Sequence, residues 1–241
     1  MNDLAPHPVA ARIADLDWYR IEADLDADGY AVIGPLLTET DCATLSAGFY
    51  TDAAFRNRVV MARHGYGAGE YRYYAYPLPE LIETLRTALY ARLAPVANRW
   101  QSGLGRQSAF PASHTAYLDR CHAAGQTRPT PLLLRYGAGD YNRLHQDLYG
   151  ELCFPLQAAF LLSRPGDDFA GGEFLLTEQR PRMQTRAEVV PLRQGEGVIF
   201  AVNQRPAPGP RGVSRVTMRH GVSRVRSGHR HTLGVIFHDA K

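Results

Sequence analysis

The chain has 241 residues, of which 45% are hydrophobic and 21% are charged. These proportions exclude a disordered chain and leave room for a sizeable core. No apolar run approaches the roughly 20 residues that a membrane helix requires, and the start of the chain lacks the basic and then apolar pattern of a signal peptide. We therefore expect a soluble, cytoplasmic protein with no membrane partner. The cysteines Cys42, Cys121 and Cys153 form no CxxC pair, which predicts reduced structural thiols.

Positive charge is concentrated near the end of the sequence. The formal net charge is +3, but residues 201–241 carry eight basic residues against the single acid Asp239, so residues 1–200 are net negative. Such asymmetry is typical of a surface that binds nucleic acid or another polyanion. Lys241 is the only lysine in the chain, so the high arginine content can equally reflect the base composition of the genome.

The first elements alternate between helix and strand. Residues 1–16 contain two prolines and predict a loosely held arm, in which residues 9–16 can add a helical turn. Residues 29–34 form a short apolar run rich in β-formers, which predicts a strand. Thr38 opens the sequence Thr-Glu-Thr-Asp, which resembles a capping box and predicts the start of a helix.

Residues 51–77 combine tyrosines with cationic side chains. Residues 59–61 predict a strand, and residues 65–69 predict a turn or mobile loop. Aromatic rings interleaved with arginine can stack on bases or hold a peptide, which makes this stretch a candidate substrate rim. Tyrosines in such a stretch more often pack their rings inside the protein. The residues concerned are Arg63, His64, Tyr66, Tyr71, Arg72, Tyr73, Tyr74 and Tyr76.

A long helix follows. From Leu81 to Trp100 apolar residues recur every three or four positions, which predicts an amphipathic helix of about five turns that covers a sheet. Pro95 predicts a kink or a break in this helix. Residues 116–122 predict one or two further helical turns. Neither a dividing linker nor an internal repeat is evident in the sequence.

After residue 130 the pattern is typical of β-structure throughout. Short apolar runs alternate with turn sequences such as Pro-Gly-Asp at 165–167. Several short strands at near-regular spacing predict an α+β, mainly β, protein built on a sandwich or barrel. The runs lie at residues 132–136, 156–162, 174–177, 188–192, 198–202, 213–220 and 231–237.

Three residues in this region have the composition of a metal site. His145 and Asp147 form a His-x-Asp pair, whose side chains an extended strand directs to the same side. With His220, which follows 73 residues after Asp147, they match the 2-His-1-carboxylate facial triad. That triad suits Fe(II) because it leaves one face of the ion open for a co-substrate and O2. Arg230, on one strand face with Thr232, can hold the far carboxylate of a 2-oxo acid.

Other interpretations of these residues stay open at this point. A lone His-x-Asp pair arises often among surface polar residues. His229 and His231 form a His-x-His pair that could ligate a metal with His220 or His145 in a cupin-like barrel, but on a strand they face away from Arg230. Zinc can also bind the three triad residues, although Arg230 would then have no purpose.

The order of the motifs resembles the Fe(II)/2-oxoglutarate-dependent dioxygenases. The chain has Tyr136-x8-His145-x-Asp147, then Gly-Gly-Glu at 171–173, Gly-Val-Ile-Phe at 197–200, His-Gly-Val from 220 and Arg-x-Thr from 230. Over residues 130–239 it is most similar to the prolyl-hydroxylase-like branch and to a bacterial group proposed to oxidise damaged nucleic acid.

The resemblance implies a double-stranded β-helix of jelly-roll type with the N-terminal helices packed on one sheet. It implies one dioxygenase domain over residues 1–241, in which residues 1–130 support the barrel and residues 131–241 form its catalytic core. The expected reaction consumes 2-oxoglutarate and O2, hydroxylates a C–H bond, and releases succinate and CO2. Related halogenases lack the carboxylate ligand, so Asp147 favours a hydroxylase.

The resemblance also implies roles for individual residues. His145, Asp147 and His220 would bind Fe(II), and Arg230 would bind 2-oxoglutarate with help from Tyr136 and Thr232.

The substrate is open between three hypotheses, and so is the oligomeric state. The first is oxidative demethylation or hydroxylation of damaged nucleic acid. The second is hydroxylation of a prolyl or other residue in a protein or peptide, or of a small molecule, which the ten-residue interval between His220 and Arg230 favours. The third is a non-catalytic, cupin-like metal-binding protein.

Overall fold

The computed structural model describes residues 7–107, 109–209 and 212–241. Within these ranges the chain forms five α-helices and fifteen β-strands, and no helix there is long and apolar enough to cross a membrane. The helices are α1 Val9–Ala14, α2 Trp18–Asp28, α3 Glu39–Gly48, α4 Glu80–Gly103 and α5 His114–Ala123. The strands are β1 Tyr30–Ile33, β2 Phe55–Val60, β3 Gly67–Ala68, β4 Glu70–Tyr74, β5 Leu132–Tyr136, β6 Tyr141–His145, β7 Leu156–Leu161, β8 Phe169–Gly171, β9 Phe174–Gln179, β10 Arg186–Val190, β11 Gly197–Ala201, β12 Gln204–Gly209, β13 Gly212–Val222, β14 Val225–Gly228 and β15 Arg230–Ile236.

Most strands belong to two antiparallel sheets. The larger sheet has the order β1-β11-β7-β15-β5-β4-β2, and the smaller has the order β10-β9-β13-β6-β3 with β12 paired to β13. The first three strands of the second half alternate between the sheets: β5 and β7 lie in the larger sheet, and β6 lies in the smaller. A buried apolar cluster joins Phe200 of the larger sheet to Phe174 of the smaller. The two sheets therefore pack face to face.

Side chains of the larger sheet alternate between a helix layer and the space between the sheets. Leu233 and Val235 of β15 pack in the core that includes the helices. Arg230 and Thr232 of the same strand line a cavity on the opposite face. This alternation is the period of two that a strand imposes. It confirms that Arg230 and Thr232 share a face.

Helix α4 covers the outer face of the larger sheet, as the spacing of its apolar residues predicts. It contacts β15, and its residues Ile82, Leu85 and Leu89 are fully buried. The predicted break is wrong, because the helix continues through Pro95 to its end. Pro95 and Ala91 lie on the exposed side. The carbonyl of Ala91, which loses its hydrogen bond to residue 95, can therefore be solvated.

The N-terminal segment packs more tightly than the sequence analysis predicts. Val9 and Ile13 are buried, and α1 packs against α4. The prediction of a loosely held arm is therefore wrong for residues 7–16, while residues 1–6 lie outside the described ranges. Helix α2 is not predicted from the sequence, although Asp17 caps it by accepting a hydrogen bond from the backbone N–H of Arg20.

All seven β-runs predicted after residue 130 form strands, but four further strands were missed. Strand β6 has no apolar run that would indicate a strand, since its residues are half-buried or exposed. Strands β8 and β14 are short, and among the described residues they pair only with each other. Strand β12 contains Pro206 and Pro208, which suggest a loop. These prolines are tolerated because β12 pairs with β13 alone, as an edge strand.

Candidate metal centre and co-substrate pocket

Two of the three predicted metal ligands lie on neighbouring strands of the smaller sheet, and the third lies in the loop that follows one of them. His145 is the last residue of β6 and pairs with His220 of β13, and Asp147 follows two residues later. The pairing shifts register beside His220 because β6 has one more residue there than β13, and such a bulge re-aims side chains. A Cβ on Gly221 would lie 2.8 Å from the carbonyl oxygen of Asn142, so glycine permits this close pairing.

The side chains of the three residues converge. Their ligand atoms all lie within 4.8 Å of one another. Oδ2 of Asp147 is 3.3 Å from Nε2 of His220, and Oδ1 is 3.6 Å from Nε2 of His145. Asp147 and His220 are only 7% and 6% exposed, whereas His145 is half-buried at the cavity. The arrangement offers two imidazole nitrogens and a carboxylate to one cation.

Hydrogen bonds prepare these side chains to bind a cation. Burial alone would raise the pKa of Asp147, but the adjacent imidazoles of His220 and His145 and the hydrogen bond from Tyr149 hold it well below its ordinary value. Burial and the neighbouring His220 lower the pKa of His145, which favours the neutral ring. Nδ1 of His145 donates to the carbonyl of Arg143 at 2.7 Å. Nε2 is therefore left with its lone pair for a metal.

The cluster lines a cavity of about 400 Å³ between the two sheets. Apolar side chains from both sheets form much of its wall, including Leu134 and Phe200 from the larger sheet and Phe174 and Val222 from the smaller. A partly apolar cavity with a few polar groups is the usual form of a small-molecule site.

Arg230 lies in the same cavity and is 2% exposed. One of its terminal nitrogens donates to the hydroxyl of Thr232, while its Nε is buried with no hydrogen-bond partner. Over the described ranges of the chain, no carboxylate lies within ion-pair distance of it. Burial lowers the pKa of Arg230 to about 10, so the group is still charged at neutral pH. A buried cation without a counter-ion costs several kcal/mol, so an anionic ligand here would be stabilised.

Comparison with known proteins identifies the family. Residues 69–240, more than two thirds of the chain, match a family described as an oxygenase catalysing oxidative methylation of damaged DNA. The chain belongs to this oxygenase family. The predicted class of enzyme is thereby confirmed.

Two relatives share much of this oxygenase's sequence. They are uncharacterized proteins from two strains of Mycobacterium tuberculosis, and each is 53% identical over 164 residues. The aligned part covers 68% of this chain and 70% of each relative.

The oxygenase also resembles solved structures in its fold. A prolyl-4-hydroxylase from Pseudomonas putida superposes with a TM-score of 0.55 at 14% identity, over 90% of this chain and 96% of that one. An oxidoreductase of the 2-oxoglutarate-Fe(II) oxygenase family from Burkholderia pseudomallei superposes with a TM-score of 0.51 at 14% identity, over 94% of both chains. The predicted double-stranded β-helix is confirmed.

The side chains of the cavity fit the expected cofactor and co-substrate. Two histidines and an aspartate on one side of a metal suit Fe(II) and leave positions for two further ligands. The unpaired charge of Arg230 suits the second carboxylate of 2-oxoglutarate. Family, fold and ligand set together indicate Fe(II), 2-oxoglutarate and O2.

The two predicted helper residues also lie in the cavity. Thr232 accepts the hydrogen bond from Arg230, and the ring of Tyr136 lies 5.7 Å from the Arg230 guanidinium carbon. The hydroxyl of Tyr136 accepts a hydrogen bond from Asn142 at 3.3 Å. Contacts of Tyr136 and Thr232 with 2-oxoglutarate stay a prediction. Asn142 is not predictable as a cavity residue from the sequence, because a single amide side chain belongs to no motif.

The alternative His-x-His ligand pair is not assembled. His231 points to the outer face of the larger sheet, where its ring meets those of Phe49 and Tyr50. His229 is exposed. Neither residue belongs to the ligand cluster found among the described residues.

The predicted substrate rim is only partly found. Tyr66, which is 51% exposed, and Tyr71 line the cavity, whereas Tyr73 and Tyr74 are buried. Tyr76 donates a hydrogen bond to Asp239 elsewhere. Three other cavity residues are not predicted from the sequence, and they are Arg143, Leu144 and Leu148. The available signal in the sequence was the position of the two leucines directly beside the His-x-Asp motif.

The basic segment is not one continuous surface. Arg205 is fully buried and pairs with Glu178 at 2.5 Å, and Arg230 lies in the cavity. Arg211 lies outside the described ranges. The exposed members of the segment are Arg215, Arg219, Arg224, Arg226 and Lys241.

Proposed function

We propose that this oxygenase binds Fe(II) through His145, Asp147 and His220 and binds 2-oxoglutarate through Arg230. It then hydroxylates a C–H bond of a damaged base in nucleic acid. The observation that carries the proposal is that a cluster with metal-ligand spacing and a buried, unpaired arginine share one cavity. When bound, Fe(II) and 2-oxoglutarate supply with O2 the oxidant for hydroxylation, and succinate and CO2 are released.

The protein's own residues have distinct roles in this reaction. Asp147 stays ionised and so offsets part of the metal's positive charge, and one ring nitrogen each from His145 and His220 completes the set of protein ligands. Arg230 binds the far carboxylate of 2-oxoglutarate and thereby orients it. Because the Thr232 oxygen already accepts from Arg230, its own O–H is free to donate to the same carboxylate.

The surroundings of the cavity support a substrate that combines a flat ring with negative charge. Tyr66, Leu144 and Leu148 are 51%, 45% and 48% exposed and offer apolar surface for stacking. The ring of His64 stacks on Tyr66 at a centroid distance of 5.3 Å. Arg143 is an exposed cation beside them. Together with the family description, these residues favour a nucleotide, and hydroxylation of a methyl group on its base would lead to demethylation.

Anaerobic titration tests the metal and co-substrate. Fe(II) and 2-oxoglutarate added to the wild-type protein should give the weak visible charge-transfer band of the chelate. Asp147→Ala should lose Fe(II) binding, because it removes one of three ligands. Arg230→Ala should retain Fe(II) but bind 2-oxoglutarate at least tenfold more weakly, since a charge-assisted pair contributes roughly 1.5–3 kcal/mol.

Two exposed residues supply matched controls for this titration. Asp167→Ala removes a carboxylate and Arg226→Ala removes a guanidinium outside the cavity, and both should behave as wild type. Absence of the band in wild-type protein that nevertheless binds iron would contradict the proposed use of 2-oxoglutarate.

A peptide is the second candidate substrate. The fold resembles prolyl hydroxylases, one of which, from Trichoplax adhaerens, was solved with a peptide fragment of a hypoxia-inducible factor at a TM-score of 0.55 and 12% identity. An open cavity lined by leucines would also accept an apolar residue.

Succinate release separates the two substrates. We expect succinate release with methylated single-stranded DNA or RNA and none with prolyl peptides. We also expect the affinity for the nucleic acid to fall as the salt concentration rises, because phosphate contacts release counterions. Arg143→Gln should reduce the slope of log affinity against log salt by about one. Arg20→Gln, on α2, should leave it unchanged. Turnover of the peptide alone would reverse the assignment.

A further inference from the structure

One tyrosine touches the carboxylate ligand directly. The hydroxyl of Tyr149 donates a hydrogen bond of 2.7 Å to Oδ1 of Asp147. The residue is two positions beyond Asp147, as Asp147 is two positions beyond His145. The motif is therefore His-x-Asp-x-Tyr, and the resemblance that identified its first two members assigns nothing to the third.

The hydrogen bond makes the two oxygens of Asp147 different. Oδ1 accepts from Tyr149, while Oδ2 lies 3.3 Å from Nε2 of His220 without a hydroxyl donor among the described residues. A carboxylate can bind a metal through one oxygen or both. A hydrogen bond to Oδ1 takes part of its lone-pair density and fixes the torsion of the group, so Oδ2 is the better ligand atom.

Packing holds the phenol of Tyr149 in place. Its ring meets Tyr73 edge to face with centroids 6.1 Å apart, and it lies 6.1 Å from the ring of His238. Tyr73 is itself buried and has the guanidinium of Arg56 4.5 Å above its ring. Reorientation of the hydroxyl away from Asp147 would therefore require movement of several packed side chains.

We infer that Tyr149 is a positioning residue that confines Asp147 to coordination through one oxygen and so keeps a metal position open for 2-oxoglutarate. The inference rests on the proposed function. With three protein ligand atoms, Fe(II) would retain room for both 2-oxoglutarate and O2. A second Asp147 oxygen would compete with them.

The test is Tyr149→Phe, which keeps the ring and removes the donor. Affinity for 2-oxoglutarate is measured by calorimetry without oxygen, once on protein loaded with Fe(II) and once on metal-free protein. We expect about tenfold weaker binding to the loaded variant, in the range found when groups behind metal ligands are lost, and a shift of the charge-transfer band. Binding to metal-free protein, which depends on Arg230, should be unchanged.

Tyr19→Phe is the matched control, because Tyr19 is 90% exposed on α2 and does not line the cavity. It should keep the wild-type affinity and band. Urea unfolding of both variants measures any general loss of stability.

The outcomes separate this inference from the function on which it rests. An affinity of Fe(II)-loaded Tyr149→Phe within twofold of wild type, or equal weakening with and without metal, would overturn the positioning role. Failure of the wild-type protein itself to bind Fe(II) would overturn the proposed function.

Discussion

At the scale of single residues, Gly172 determines whether Arg230 can occupy the cavity. Gly172 has φ +64°, and a Cβ there would lie 3.0 Å from Cδ of Arg230 and 2.8 Å from Cγ2 of Val225. A side chain at this position would therefore push against the arginine that is proposed to bind 2-oxoglutarate. The second glycine of the Gly-Gly-Glu motif thus leaves the space that the side chains of Arg230 and Val225 occupy.

Gly172→Ala is expected to weaken 2-oxoglutarate binding while Fe(II) binding is retained. Displacement of a charged, bidentate partner by a few tenths of an ångström should cost on the order of 1–2 kcal/mol, or about tenfold in affinity. The measurement is calorimetric titration of 2-oxoglutarate into the Fe(II)-loaded variant. Gly105→Ala is the control, because Gly105 has φ +73° but open space around its Cβ position. Equal effects of the two substitutions would show that backbone strain alone is responsible.

At the scale of elements, the pairing of β6 with β13 assembles the proposed metal centre. The bulge in β6 places Asn142 opposite Val222 and His145 opposite His220, so that both β6 residues line the cavity although three positions separate them. A regular strand would direct residues an odd number of positions apart to opposite faces. The bulge is therefore the feature that lets one strand supply both a proposed metal ligand, His145, and a hydrogen-bond donor to Tyr136, Asn142.

Helix boundaries at this scale follow from local chemistry. The predicted capping box of α3 forms, with Thr38 accepting from the backbone N–H of Asp41 and the Asp41 carboxylate accepting from that of Thr38. Such a cap satisfies donors that the helix itself leaves free. Local signals of this kind are readable from the sequence because all partners lie within four residues.

At the scale of the whole molecule, buried contacts tie the end of the chain to the helix layer. Arg86 of α4 and Asp239 form a fully buried ion pair at 2.7 Å. The ring of His114 in α5 donates from Nε2 to the carbonyl of Phe237 at 2.8 Å. Strand β15, which carries Arg230, is thus anchored at its far end. The position of the proposed co-substrate site therefore depends on this packing as well as on the pairing of β15 within the larger sheet.

Folding stability should fall as the pH decreases from about 6.5 to 4. Burial and the nearby Arg86 lower the pKa of His114 from 6.5 to about 4, so in this interval the unfolded chain binds a proton that the folded protein does not. The contribution of neutral His114 to the free energy of unfolding is therefore complete above pH 6.5. It is lost as the pH falls, by about 1.4 kcal/mol per pH unit for one histidine.

Urea unfolding of wild type and His114→Gln at several pH values measures this dependence. Glutamine can still donate to the carbonyl of Phe237 but does not titrate, so the variant should show a shallower slope. A residual slope is expected, because burial also lowers the pKa of His231 and of His238 to about 4. Identical slopes would contradict the role of His114.

The sequence by itself determined the ligand types, the β-rich second half, the long amphipathic helix and the shared face of Arg230 and Thr232. Each of these depends on residue identity or on periodicity within one element. The proposed iron ligands were also readable because their order along the chain resembles that in a known family.

Only the tertiary structure decided which polar residues surround the site. Tyr149, Asn142 and Arg143 reach the cavity through a bulge and a loop, and the burial of Arg205 removes it from the basic surface. Likewise, α4 continues through Pro95 because helical residues before and after the proline, such as Leu93 and Val96, are buried in the core. Non-local packing fixes these outcomes, since the contacts that determine them join residues far apart in the chain, and no local pattern records them.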